Sequence, residues 1–348
     1  MNETMVGRAK AKLLIVLTIG LFSLSILLVV SWSLGAVDIP FTDTLGYLKN
    51  IIINLGPDMS NPQERIIWDR VVRSIAVMGV GIGLSVSGVV MQALIRNPLV
   101  DPYVTGISSG AALGATLSIL GGVTIIPLAE FATPVAAFIG ATVAFFITMA
   151  LAEATGGRST NYVLSGVIVG IAISSFTTIL IVFSKDQRLH NALFWLYGSF
   201  SYITWIESVL IILTVMVLSM VLLLFARELN VVLLGDEHAR HLGLDVKRFK
   251  IFSILIVSVL TAVSVAFCGI IGFLGLIVPH SARMLVGGDH RLLIPASMVL
   301  GTNVLLVADI IARILFRPVE LPIGAIISMV GAPFFICLMI RRGKEYGG

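Results

Sequence analysis

The polar residues that could do chemistry are few, and the densest group of them lies between residues 226 and 250. Asp236, Glu237, His238 and His241 follow one another closely there. Histidines three residues apart with neighbouring carboxylates are one pattern from which a metal site can be built. The same pattern is more typical of the solvated face of a short surface helix, so we predict no metal site here.

The same segment carries apolar residues that no membrane span accounts for. Val231 to Leu234 precede the charged stretch, and glycines at 235 and 243 interrupt it, which predicts short amphipathic helices hinged at those glycines. An apolar surface on such a loop is typical of a docking site for another protein. It is equally typical of a solvated connector whose apolar side chains touch the rest of the molecule. The residues alone leave both interpretations open.

A second motif matches the G-x-S-x-G pattern of serine hydrolases in the stretch GISSG from Gly106. His280, on a later apolar segment, would then be the corresponding base. A nucleophile elbow needs a strand-to-helix turn, whereas small residues continue here to Gly114 as in a closely packed helix. The chain also has no G-x-x-x-x-G-K-[ST] sequence with which to bind nucleotide phosphates. We therefore predict that it is not an enzyme.

Four arginines lie near the ends of apolar segments. Arg70 and Arg73 open one segment, and Arg313 and Arg317 close another. Such charges commonly reach the membrane interface, but as a group they could form a basic rim that pairs with carboxylates of an extracytoplasmic partner. Asp309 precedes Arg313 by four residues, so we predict an ion pair within one helix.

An apolar framework must position these residues. The 348 residues include 57% hydrophobic and 12% charged side chains, whereas a soluble domain has about 25% charged residues. With about 20 residues per span, this length predicts an all-α polytopic membrane protein with about ten spans, forming a single transmembrane domain over residues 1–348. The net charge of +4 fits a membrane protein and does not indicate a nucleic-acid partner.

Ten apolar windows meet this expectation. We predict spans at residues 13–34, 66–94, 104–120, 133–152, 162–183, 203–226, 249–268, 271–286, 292–312 and 323–340. Residues 41–55 alternate apolar and polar residues at helical spacing, which predicts a helix along the membrane interface. Glycine pairs at four-residue spacing predict close helix contacts at 79 and 83, 110 and 114, and 166 and 170.

Charge predicts the orientation of these spans. Most of the 23 lysines and arginines fall in the segments on the same side as the N-terminus. By the positive-inside rule both termini are then cytoplasmic, and the chain lies in the cell membrane. The outer segments hold Lys49, Arg65, Arg70, Arg73, Lys185, Arg188, Arg313 and Arg317.

Several blocks of sequence occur in order between Arg70 and Phe335. They are RVVR from Arg70, GLSVSGVVMQALIRNPLVDP from Gly83, GISSGAALGA from Gly106, GFLGLIVPHSAR from Gly272, ADIIAR from Ala308, ELPIG from Glu320 and GAPFF from Gly331. These blocks resemble the iron-siderophore and cobalamin permease family of ABC importers. The resemblance implies a type II ABC importer permease-like bundle that works as a homodimer, with the pathway at the subunit interface.

The same resemblance implies partners and assigns residues to them. Two cytoplasmic ABC ATPase subunits would dock on a coupling loop (residues 227–248), and an extracytoplasmic substrate-binding protein would dock on Arg70, Arg73 and Arg313. Arg317 has no counterpart in the family pattern. No cofactor is implied. The coupling residues are Gly235, Asp236, Glu237, His238, Ala239, Arg240, His241, Leu242, Gly243 and Leu244.

Small side chains and a proline point to the positions where a packed pathway could shift. These predicted pathway residues are Asn97, Pro98, Gly106, Ser108, Ser109 and Gly110.

The resemblance leaves the substrate open. The expected order is ferric siderophore first, then cobalamin or another cobamide, then haem or molybdate. The alternative function is a secondary transporter that an ion gradient drives without an ATPase.

Overall fold

The chain folds into a bundle of α-helices. The computed structural model describes residues 3–121, 131–184 and 188–346, and the described residues contain no β-strand. Lys185, which the charge argument places on the outer side, lies outside these ranges. In chain order the helices are α1 (Glu3–Ser33), α2 (Phe41–Ile53), α3 (Pro62–Ile95), α4 (Ile107–Gly121), α5 (Ala132–Ala154), α6 (Ser159–Phe183), α7 (Arg188–Leu196), α8 (Trp205–Leu224), α9 (Ala226–Val232), α10 (Asp236–His241), α11 (Val246–Cys268), α12 (Leu274–Val286), α13 (His290–Ile314) and α14 (Ile323–Tyr346).

Seven of these helices are long and apolar enough to cross a membrane, namely α1, α3, α5, α6, α8, α11 and α13. Three shorter apolar helices, α4, α12 and α14, complete the set of ten. The all-α polytopic fold is therefore confirmed. Two predicted spans begin later than expected, because a 3₁₀ turn at Pro102–Thr105 precedes α4 and an irregular segment precedes α12.

The helix α3 forms the centre of the bundle. The Asn61 side chain caps its start by accepting hydrogen bonds from the backbone N–H groups of Gln63 and Glu64, with Pro62 at the first helical position. Arg96, in the left-handed region at a φ of 57°, ends it. At 34 residues it is about 50 Å long, well over the roughly 30 Å of a bilayer core. It is mostly buried and packs against α8, α11, α12 and α13.

Glycines set the closest contacts between helices. A Cβ atom added at Gly88 would lie 2.0 Å from the carbonyl oxygen of Gly275, where α3 crosses α12. A Cβ at Gly110 would lie 2.3 Å from the carbonyl oxygen of Gly140, and one at Gly114 would lie 2.0 Å from that of Ala136. The close contact predicted for the Gly110 and Gly114 pair is therefore confirmed, and its partner is α5.

Besides α9 and α10 of the coupling loop, two of the described helices, α2 and α7, lie outside the spans. The helix α2 covers the predicted interfacial segment and buries Thr44 and Ile51 while leaving Phe41 and Ile52 exposed. The helix α7 was not predicted. Its nine residues mix apolar and polar side chains and are too few to give a periodic signal.

We expect Gly114→Ala to lower the free energy of unfolding by about 1 to 3 kcal/mol, because an added methyl group would overlap the α5 backbone. The measurement is thermal unfolding of the detergent-solubilised chain. The matched control is Gly46→Ala on α2, where an added Cβ meets no atom within 4 Å and a small gain is expected. Equal melting temperatures for the two variants would contradict the close α4–α5 contact.

Candidate functional site

The coupling loop folds into two short helices joined at Gly235. The φ angle of Gly235 is +103°, and that of Gly243, just beyond the end of α10, is +86°. Residues with a side chain rarely adopt these values, whereas glycine does so at little cost. The prediction of short helices hinged at these two glycines is therefore confirmed.

One side of α10 is fixed to the bundle. Ala239 is completely buried. Lys250 donates a hydrogen bond from Nζ to Asp236 Oδ2 at 2.8 Å, and Arg96 Nη2 lies 3.5 Å from Asp236 Oδ1. Lys250 belongs to α11 and Arg96 follows α3. These contacts therefore join α10 to both α11 and the end of α3.

The opposite side of α10 faces away from the bundle. The exposed residues are Glu237, His238, Arg240, His241 and Leu242. Leu242 is 64% exposed, and Leu234, two residues before α10, is 61% exposed. Exposed leucines next to charged residues make a mixed apolar and polar surface of the kind that protein contacts use.

The helix α9 is tied to the start of α13 through Asn230. Asn230 donates from Nδ2 to Asp289 Oδ1 at 2.8 Å and accepts at Oδ1 from the His290 backbone N–H at 3.0 Å. A hydrogen bond from the Arg291 side chain, helped by Asn230, lowers the pKa of Asp289 to about 2. Asp289 therefore stays charged throughout the physiological pH range.

A groove with a volume of about 430 Å³ opens along one face of α6. Among the described residues no charged side chain lines it, and Ser174 donates from Oγ to Ser109 Oγ at 3.2 Å across it. Hydroxyl groups can offer hydrogen bonds to a passing molecule without the strong hold of a charge. The glycine, serine and threonine residues that line it are Gly106, Ser109, Gly166, Gly170, Ser174, Ser175 and Thr178.

The predicted pathway residues do not all meet in this groove. Gly106 and Ser109 line it, whereas Gly110 lines a separate apolar cavity of about 460 Å³ next to α5. Asn97 and Pro98 lie in the turn after α3, where Asn97 Oδ1 accepts a hydrogen bond from the Leu99 backbone N–H at 2.9 Å. A role for these residues as a gate stays a prediction.

The GISSG stretch begins α4. Gly106 ends the 3₁₀ turn at a φ of +79°, and Ile107 to Gly110, including Ser108, continue as the first turn of the helix. No strand precedes it in the described part of the chain. The local structure is therefore not a nucleophile elbow, and the interpretation of the motif as helix packing holds.

The contribution of α6 to the groove was missed by the sequence reasoning, although a signal was present. Gly166, Gly170, Ser174 and Thr178 recur at every fourth residue and so share one face of the helix. We interpreted the first two as a packing pair. That is correct for Gly166, whose added Cβ would lie 1.7 Å from the Val104 carbonyl oxygen. An added Cβ at Gly170 would meet only the end of the Ser109 side chain, at 3.3 Å.

Arg70 and Arg313 both bind the C-terminal end of α1. Arg70 donates from Nη1 to the carbonyl oxygens of Trp32 at 2.7 Å and Ser33 at 3.0 Å. Arg313 donates from Nη1 to the carbonyl oxygen of Ser31 at 3.0 Å. The last carbonyl groups of a helix have no partner within it, and positive charge is favourable at this end. The two arginines therefore join α1 to α3 and α13.

Arg73 points instead to two carboxylates. Its Nε donates to Asp309 Oδ1 and its Nη1 to Glu320 Oε2, both at 2.8 Å. Asp309 Oδ2 also lies 3.0 Å from Arg313 Nη2, which is the ion pair predicted within α13. Asp309 has no exposed surface. Two positive groups therefore compensate its buried charge.

This arginine cluster (Arg70, Arg73 and Arg313) borders a cavity of about 400 Å³. Each arginine is at most 8% exposed and is bonded to its own chain. The cluster does not form an exposed basic rim in the single chain, and docking of a binding protein on it stays a prediction. Arg317 is exposed and pairs with Asp38 at 2.7 Å.

Comparison with known proteins identifies the family. The model of the FecCD transport family matches residues 23–341 of this chain. The chain belongs to the FecCD transport family.

Two permease proteins from other organisms are similar to this chain over most of their length. The FecCD-family chain is 41% identical over 274 residues to the cobalamin import system permease protein BtuC of Halobacterium salinarum, covering 78% of this chain and 72% of the relative. It is 38% identical over 282 residues to the hemin transport system permease protein HmuU of Yersinia pestis, covering 80% of this chain and 84% of the relative.

A solved structure supports the same fold. An inward-facing conformation of a metal-chelate type ABC transporter superposes with a TM-score of 0.81 at 29% identity, covering 94% of this chain and 99% of the solved one. The bundle described above is therefore the fold of an ABC transporter permease.

We expect Arg313→Ala to destabilise this FecCD-family chain by about 3 to 5 kcal/mol, because the Ser31 carbonyl oxygen at the end of α1 loses this donor and the buried charge of Asp309 keeps only Arg73. Thermal unfolding in detergent measures the effect. Arg317→Ala, which removes an exposed ion pair near the same end of α13, should change the melting temperature little. A similar small shift for both variants would contradict the structural role of Arg313.

Proposed function

We propose that two copies of this chain form the membrane pathway of a binding-protein-dependent ABC importer for a metal chelate. The observation that carries the proposal is the exposed face of α10, which holds Leu242 beside charged residues and is fixed to α3 and α11 on its other side. This is the arrangement that a coupling element needs, since it must contact an ATPase outside the membrane and pass the movement into the bundle. Family membership supports the same assignment.

The homodimer is supported by the groove on α6. The groove is open to the outside of the single chain, and most of α6 is exposed. On a helix face that contacts lipid, apolar side chains are favoured over glycine and over side chains with hydroxyl groups. A second copy placed against α6 would close the groove into a passage between the subunits.

A bulky chelate suits this groove better than a small oxyanion does. The groove is lined by uncharged side chains in the part of the chain that the structure describes, whereas an oxyanion such as molybdate calls for positively charged groups or several N–H donors. We place cobalamin first, because of the 41% identity to a cobalamin permease, then haem, then ferric siderophores. This order puts cobalamin ahead of the siderophores that the sequence alone favoured.

The proposed cycle is alternating access. A binding protein delivers the chelate to the face that holds the arginine cluster, and two ATPase subunits act on the coupling loops at the opposite face. Both chain termini are on the ATPase side, in the cytoplasm. Energy supply and pathway thus lie on different chains, and this chain contributes the passage and the docking surfaces.

Uptake into vesicles tests the proposal against a secondary transporter. The chain is reconstituted with its ATPase and binding protein, and cyanocobalamin, hemin and a ferric siderophore are offered separately. We expect uptake of cyanocobalamin that requires ATP and both partners. Uptake driven by an ion gradient in the absence of the ATPase would contradict the proposal and favour the alternative.

Leu242→Asp tests the docking surface. Because burial of a leucine contributes about 1.5 to 3 kcal/mol, we expect the affinity for the ATPase to fall at least about tenfold, measured by titration in detergent. Leu55→Asp is the matched control, since Leu55 is 95% exposed in the segment between α2 and α3. Glu237→Lys is a second test that spares the Asp236 ion pairs. Equal affinity for all variants would count against α10 as the docking site.

A further inference from the structure

The proposed function requires that the coupling loop be connected to the groove on α6. The groove is lined mainly by α6, but α6 makes no ion pair with α10 among the described residues. A movement of the coupling loop must therefore reach α6 through other residues. The chain places two such links at the first turn of α6.

The first link is a carboxylate at the end of α5. Glu153 accepts a hydrogen bond from the Tyr162 hydroxyl group on α6, and its Oε2 lies 3.0 Å from Lys247 Nζ. Lys247 is in the first turn of α11, three residues after Leu244, the last residue assigned to coupling. The Tyr162 side chain is buried. Glu153 thus connects the last residues of the coupling loop with the buried start of α6.

The turn between α5 and α6 is tightly built around this carboxylate. The Gly157 backbone N–H donates to the Ala152 carbonyl oxygen at 2.9 Å, and Asn161 Nδ2 donates to the Thr155 carbonyl oxygen at 2.6 Å. A Cβ at Gly157 would lie 3.3 Å from Glu153 Oε1. The end of α5 and the start of α6 are therefore expected to move together.

The second link passes through the end of α3. Ser159, the first residue of α6, donates from Oγ to the Leu94 carbonyl oxygen at 3.1 Å. Two residues later Arg96 pairs with Asp236 of α10 at 3.5 Å. The end of α3 is therefore in contact with both the coupling loop and α6. Two separate sets of contacts lead to the same turn.

We infer that Glu153, held between Tyr162 and Lys247, is the positioning residue through which the coupling loop moves the first turn of α6. The inference rests on the proposed function. The Lys247 side chain is 72% exposed, so its ion pair contributes little to the stability of the fold. A contact of this kind can be lost without unfolding the chain, and its effect should appear in coupling.

The test uses the full complex of the chain with its ATPase and binding protein in vesicles, with cyanocobalamin as the probe. In Lys247→Met we expect the number of molecules transported per ATP hydrolysed to fall about fivefold, with unchanged melting temperature and ATPase rate. Lys247→Arg should restore the ratio, because it keeps the charge. Arg248→Met is the matched control, since Arg248 is likewise exposed but pairs with Asp245 on the same turn and not with Glu153.

A second readout requires no transported molecule. Hydrogen exchange of residues 159–163 is compared with and without bound ATPase. We expect the ATPase to slow exchange there in the wild-type chain, and Lys247→Met to abolish this effect while exchange at α10 remains slowed. Unchanged protection and an unchanged transport ratio in Lys247→Met would overturn the inference.

The two readouts separate the inference from the proposed function. Absence of ATP-driven uptake in the wild-type complex, with normal ATPase binding and normal protection of residues 159–163, would reject the proposed substrate and keep the inference. Protection of α10 alone in the wild-type complex would reject the inference and keep the docking surface. An equal fall in the number of molecules transported per ATP in Arg248→Met and Lys247→Met would also overturn the inference. The effect would then depend on any positive charge on that turn and not on the Lys247–Glu153 ion pair.

Discussion

Lipid offers no hydrogen-bond partner to backbone N–H and C=O groups. A helix can therefore end within the membrane only where other parts of the protein bond those groups. The end of α1 is satisfied by the guanidinium groups of Arg70 and Arg313. In the irregular segment between α11 and α12, the Tyr103 hydroxyl group bonds both backbone groups of Ile271. It accepts from the N–H at 3.2 Å and donates to the carbonyl oxygen at 3.1 Å. Each of these two breaks is therefore also a junction between elements distant in the chain.

The sequence predicts the spans because hydropathy is a local property, and it predicts the hinges of the coupling loop because glycine spacing is local too. It does not predict partners that are far apart along the chain. Asp309 and Arg313 share one helix face, so their ion pair was foreseen, whereas the second partner of Asp309, Arg73, comes from a different span. The face of α6 that lines the groove was visible in the spacing of its small residues, but nothing local separates a packing glycine such as Gly166 from an open one such as Gly170.

The three residues of the arginine cluster can have more than one role. Resemblance associated Arg70, Arg73 and Arg313 with a partner protein, and the geometry gives each of them bonds inside the chain. These roles are compatible, because the cluster borders a cavity at the end of the bundle. A substitution there would disturb the fold whether or not a partner docks there, so loss of uptake in such a variant would not by itself identify a docking residue.

The attachment of α1 has a consequence for biosynthesis. Besides the arginine contacts, α1 is held by Asn303 of α13, which donates to the Gly20 carbonyl oxygen at 3.0 Å and accepts from Ser23 at 2.7 Å. The ribosome makes α1 before α13, so α1 must reside in the membrane without its α13 contacts until that span has been made. It is the most apolar of the seven long spans, and α13, with its charges and Asn303, is the least apolar. Of these two spans, the one that is made earlier is thus the one that better tolerates lipid without its partner.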